Sequence, residues 1–138
     1  MCIRDRMNPL PEYLLLAGKI YYDLDNIEKA MNFYKKSMEK NFYDSYIKLG
    51  NLFYELKDYD SSYNTFEKFL QAYPDSYDAR ILYSTLSYVK NLFGEREKHL
   101  YINIIDKTSE YLDPNYLFNV KKWPKDLILK IQEIIKIV

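Results

Sequence analysis

Few residues in this chain could carry out chemistry. His99 is the single histidine among 138 residues. No cysteine or second histidine stands near it at metal-ligand spacing, so it reads as a partly exposed helix-face residue, not as a ligand or catalytic base. Cys2, the single cysteine, cannot form an internal disulfide. It lies in the opening hexamer Met-Cys-Ile-Arg-Asp-Arg, which holds two arginines where only Arg80 and Arg96 follow. Residues 1–6 therefore resemble adapter-derived sequence and are set aside from fold reasoning, which leaves two equal expectations, a start at Met7 or a natural protein that extends upstream. The three glycines are isolated, so no phosphate-cradling loop is present. Asp58 and Asp60 flank a helix start, where capping and the helix dipole account for them better than paired acid/base work. The expectation is a non-enzyme with no cofactor and no metal.

Binding chemistry is better represented. The sequence has 16 tyrosines, and 20 basic residues balance 20 acidic ones. Stacking rings beside lysines suit a single nucleic-acid strand. Zero net charge and alternation of lysines with acids argue against one, because phosphate attraction dominates that affinity. Lys121, Lys122, Lys125, Lys130 and Lys136 make the tail basic, which a solvated helix face explains. The tail's isoleucine stripe could lie on a membrane surface but reads better as core. No run of 18 apolar residues indicates a spanning helix, and no signal-peptide core follows the early charges. The default location is cytoplasmic.

The elements that position these groups repeat. A shift of 32 residues sets Leu14 on Tyr46, Gly18 on Gly50, Tyr21 on Phe53, Tyr22 on Tyr54, Ala30 on Ser62 and Tyr34 on Phe66. A further shift of 34 sets Ser45 on Ala79, Leu49 on Tyr83 and Tyr54 on Tyr88. Within each unit the apolar period is helical: Leu14, Ala17, Gly18 and Tyr21, then Ile27, Ala30, Met31, Tyr34 and Met38. Asp25-Asn26, Lys57-Asp58 and Pro74-Asp75-Ser76 mark the turns and helix starts. Each unit is expected to be two short antiparallel helices. Residues 93–112 predict a longer helix, 115–122 a short one, and Lys125 to Val138 a strongly amphipathic helix.

These residues resemble the tetratricopeptide repeat. Tyr46-x-x-Leu49-Gly50-x-x-Phe53, Ser62-x-x-x-Phe66 and Pro74 stand at that family's spacing. Leu14-x-x-Ala17-Gly18-x-x-Tyr21 and Ala30-x-x-x-Tyr34 repeat it, with Phe42 in place of the closing Pro. The third unit has Ser84 for the Gly and Arg96 for the small Ala. The resemblance implies an all-α fold: a short right-handed α-solenoid of about three helix pairs with C-terminal closing helices. The expected division is repeats over 7–112 (about 11–42, 43–76 and 77–112) and capping helices over 113–138.

The resemblance also implies a function, a non-catalytic scaffold or adaptor that binds a partner peptide or protein in the concave groove. First helices line that groove in the family. This places Leu15, Lys19, Tyr22 and Asp23 there from the first unit, Ile47, Asn51, Tyr54 and Glu55 from the second, and Ile81, Thr85, Tyr88 and Val89 from the third. Tyr22, Tyr54 and Tyr88 are expected to form an exposed aromatic row. Leu15, Asp78 and Leu82 stand where a carboxylate clamp wants cations, and Glu12, Asp23, Asp44, Glu55 and Asp78 lie near the same face. The expected partner is a neutral or basic segment with apolar anchors. Two alternatives stay open: a regulatory or structural piece of a longer enzyme or membrane-associated protein, and a nucleic-acid accessory protein.

Overall fold

The computed structural model describes residues 9–138. The expectations for residues 1–6, Cys2 and Met7 lie outside the described residues. The chain forms α1 (Pro11–Asp23), α2 (Ile27–Glu39), α3 (Tyr43–Glu55), α4 (Tyr59–Ala72), α5 (Tyr77–Val89) and α6 (Glu95–Lys107). A 3-10 turn (Glu110–Leu112), α7 (Pro114–Asn119) and α8 (Lys125–Ile137) follow, and no strand occurs among the described residues. Each first helix packs on its own second helix, and each second helix packs on the next first helix, α2 on α3 and α4 on α5. The result is an all-α helical-repeat solenoid.

The glycines set how closely the paired helices approach. A Cβ on Gly50 would lie under 3.0 Å from three ring carbons of Phe66, and Ser62 Oγ donates to the Gly50 carbonyl at 2.9 Å. At Gly18 a Cβ would lie 2.5 Å from two carbons of the Tyr34 ring and 3.2 Å from the Ala30 carbonyl. A small residue faces each glycine because anything larger would hold the helices apart.

The turns inside the pairs share one design. Asp25 and Lys57 adopt the left-handed conformation, with φ near 62°. The amides on either side close the preceding helix, Asp25 to Tyr22 and Asn26 to Tyr21, and likewise Lys57 to Tyr54 and Asp58 to Phe53. The next residue then caps the following helix: Asn26 Oδ1 accepts from the Lys29 amide and Asp58 Oδ1 from the Ser61 amide. Lysine is poorly suited to this conformation. Lys57→Gly is expected to raise stability by about 0.5–1 kcal/mol, the left-handed strain less the chain entropy that glycine loses on folding. A melting temperature that does not rise would refute it.

The third pair is looser. Ser84 stands where the glycines stand, fully buried with its hydroxyl unpartnered, and residues 90–94 make a longer connection. The expected helix over 93–112 is corrected: α6 stops at Lys107, Thr108 is extended, and its Oγ1 accepts from the Glu110 amide. Thr and Ser side chains compete for backbone groups and favour such breaks. Beyond it, Leu127, Ile128, Ile131 and Ile134 of α8 share one buried cluster with Ile81, Leu82 and Leu86 of α5.

Candidate peptide-binding groove

The groove face is the side that α1, α3 and α5 turn away from their partner helices. Helix α8 lies against α5 on this side and reaches α3. It divides the expected site into an open half and a filled half.

In the filled half the expected exposed aromatic row is corrected. Tyr54 is 3% exposed, and its hydroxyl donates to Asp126 at 2.5 Å. Tyr88 is half-buried and donates to Glu133 at 3.1 Å. Both carboxylates belong to α8. Only Tyr22 keeps an exposed ring, and it donates to Glu55 of the next unit at 2.7 Å. The three equivalent tyrosines thus form a ladder of hydroxyl-to-carboxylate bonds, which satisfies hydroxyls that burial would otherwise leave unpaired. Tyr22 is pushed up to about 12 by the Glu55 hydrogen bond and by burial. Burial, then the Asp126 bond, raises Tyr54 above its ordinary value.

Ile81 and Thr85 are also corrected as groove-lining residues. Ile81 is 1% exposed in the cluster shared with α8, and Thr85 is fully buried, its hydroxyl bonded to the Ile81 carbonyl and to Tyr101. Leu15 is buried with Ala30, Tyr34, Leu49 and Leu52. Val89 is half-buried against the large core. The causes differ: Ile81 shares the cluster with the apolar stripe of α8, which must be covered, Thr85 meets Tyr101 of α6, and Leu15 is covered by α2 and α3.

The open half lies between α1 and α3. A cleft of about 350 Å³ is lined there by Lys19, Tyr22, Asp23, Asn51, Glu55 and, from the segment before α8, Lys122. Lys48 lines it as well and is shared with Lys19 and Lys122 by an adjoining cleft that reaches Ile47 and Trp123. Burial, followed by the charge of Lys19 and more weakly of Lys122, lowers the Lys48 ammonium below its ordinary value. Asn51 is 7% exposed, and its Oδ1 accepts no hydrogen bond within the described residues. The cleft therefore offers three cations from three segments and one buried acceptor.

Sequence reasoning missed Lys122, Asp126, Glu133 and the role of Asp78. Asp78 is no obstacle to a clamp in an open groove. It is buried, accepts from Tyr43 at 2.9 Å and Tyr111 at 2.6 Å, and pairs with Lys121 at 3.0 Å. The seven-residue spacing of Asp126 and Glu133 on one side of an amphipathic helix was the available signal. His99 lies exposed on α6, and no group of metal-ligating side chains occurs among the described residues.

Two stretches match models of the tetratricopeptide repeat, residues 11–39 and residues 44–76. They cover α1–α2 and α3–α4, the two pairs whose glycines close on an aromatic ring. The chain is a tetratricopeptide repeat protein. No curated protein matches it. Repeats of this family generally mediate protein–protein interactions, and no helix among the described residues is long and apolar enough to cross a membrane.

Proposed function

We propose that this protein is a non-catalytic, cytoplasmic scaffold that holds a segment of a partner protein in the open half of its groove, between α1 and α3. The observation that carries this reading is the buried, unpartnered Asn51 Oδ1 in a cleft rimmed by Lys19, Lys48 and Lys122. A buried acceptor without a donor costs about 1–3 kcal/mol. An amide N–H of an extended partner chain would satisfy it. The lysines would meet a carboxylate on that chain, while Tyr22 offers a ring edge for an apolar anchor.

This reading revises the expected preference for a neutral or basic segment. Lys122 enters the cleft from the far end of the chain, and the lysines outnumber Asp23 and Glu55 there. With α8 over Tyr54 and Ile81, the partner contacts two first helices instead of three.

Peptides selected from a random displayed library against the full chain provide the test. Lys48→Ala or Asn51→Ala should weaken the selected peptides by roughly 1–2 kcal/mol, near tenfold, as hot-spot truncations do. Peptides indifferent to both substitutions would place recognition elsewhere.

A further inference from the structure

A second cleft, of about 290 Å³, adjoins the α1–α3 cleft and shares Lys19, Lys48 and Lys122 with it. Asp44 and Ile47 of α3, Asp78 of α5 and residues 120–123 complete its walls. Its fourth lysine, Lys121, is paired with Asp78 at 3.0 Å. The other three lysines form no ion pair among the described residues. Asp44 is the one remaining carboxylate among the lining residues, so three ammoniums against one carboxylate leave a net charge of +2. Burial, then Lys19, works against the Lys48 charge in the free protein, and Asp44 offsets part of that.

Lysines at a surface do not by themselves make a site, because water solvates them. A second observation points the same way. Trp123 lines this cleft yet is 1% exposed, and its Nε1–H has no acceptor among the described residues. A buried indole N–H usually finds a partner. The ammonium groups beside it are donors without a lone pair and cannot serve. The missing group must accept from all of them. The backbone fixes this donor set: the Lys121 amide closes on the Tyr116 carbonyl and the Trp123 amide on the Leu117 carbonyl, with Lys122 left-handed between them at φ 58°. A carboxylate would neutralise only half of the charge. A phosphate monoester carries about −1.5 to −2 at pH 7 and three acceptor oxygens, which suits both the charge and the separate donors.

We infer that the second cleft binds a phosphate monoester, the phosphorylated serine or threonine side chain of the bound partner segment. Lys19, Lys48 and Lys122 supply its counter-charge, and the Trp123 N–H supplies one further hydrogen bond. The partner is the source because the two clefts are continuous through three shared lysines: a segment that reaches Asn51 in the first, the peptide reading on which this assignment rests, has a side chain beside the second. The repeats alone do not make the site. Lys122 and Trp123 lie beyond the stretches 11–39 and 44–76 that match the repeat models.

Trp123 is the one tryptophan of the sequence, so the full chain labelled with nitrogen-15 gives a single indole N–H signal. At constant ionic strength and about pH 7.5, where a phosphate monoester is a dianion, inorganic phosphate should move that signal saturably and acetate should bind far more weakly. Lys48→Gln and Lys122→Gln should each weaken phosphate about tenfold, as loss of one charged hydrogen bond does. Lys130→Gln should not, since Lys130 lies on α8 outside the cleft, near Glu133. Displayed random peptides with a fixed phosphoserine should bind about tenfold more tightly than the same peptides with serine, and should lose that advantage in Lys122→Gln. A signal that ignores phosphate, answers acetate equally, or answers phosphate equally in both variants would overturn the site. Phosphate binding without a gain for the phosphopeptides would overturn the partner as its source, and a thymidine oligonucleotide that binds as tightly as they do would make the ligand a nucleic acid. The peptide reading of the first cleft is judged separately, by whether Asn51→Ala weakens the serine peptides.

Discussion

Asp78→Ala is expected to destabilise the protein by about 3 kcal/mol, the lower end of what removing one partner of a buried ion pair costs. The carboxylate is 6% exposed in the first turn of α5. It accepts from Tyr43 of α3, from Tyr111 of the 3-10 turn, and from Lys121 just ahead of α8. One side chain thus ties the second unit, the third unit and the closing segment. Its loss leaves the buried Tyr111 hydroxyl without this acceptor and leaves Lys121 uncompensated. The lysine keeps 24% of its side chain in solvent, which holds the figure at the low end. Tyr43 retains Ser76 at 2.5 Å and suffers least. Asp78→Asn keeps the shape and an acceptor while losing the charge, so it should cost about half as much. Urea denaturation measures both. A loss below about 1 kcal/mol for the alanine variant would show that the network contributes little net stability.

Gly50→Ala should also destabilise, by about 1–3 kcal/mol, although alanine is the better helix former by about 1 kcal/mol. The added Cβ would sit under 3.0 Å from three carbons of the Phe66 ring. That ring is fully buried, in a cluster with Phe69, Ala79 and Leu82, and has no free direction of retreat. Gly50→Leu should cost more. Phe66→Leu should recover part of the loss in the double variant, since the two residues share one contact. Gly18→Ala is the milder case, because only two carbons of the Tyr34 ring come as close and Ala30 is met at its carbonyl. Thermal melts of the four variants check the order. An unchanged melting temperature for Gly50→Ala would mean that α3 and α4 do not need this approach.

The local rules of the fold were legible because they are local. Gly50 and Ser62 lie twelve residues apart, and their contact follows from the spacing of one helix–turn–helix. The capping of α2, α4 and α5 by Asn26, Asp58 and Ser76 was legible for the same reason. What failed depends on α8. Tyr22 and Tyr54 occupy the same repeat position, yet one is exposed and the other buried. Asp126, 72 residues further along, makes the difference. An amphipathic pattern over Lys125–Ile137 announces that the helix needs a surface and does not say which one. The groove residue Ile81 was misread for this reason, while Thr85 meets Tyr101 of its own partner helix α6. The open cleft brings Lys19, Tyr22, Asp23, Asn51 and Glu55 together, leaves Leu15 in the core, and adds Lys122, whose place beside Lys48 is a tertiary fact.

The span between Tyr54 and Asp126 also bears on the order in which the molecule assembles. Closing a loop of 72 residues instead of the twelve that join Gly50 and Ser62 costs about 1.6 kcal/mol more in chain entropy. Helix pairs can form on contacts near in sequence, whereas the last helix must wait for a platform built by α3 and α5. Its docking belongs on the native side of the folding barrier, so its contacts govern how long the folded state survives more than how fast it forms.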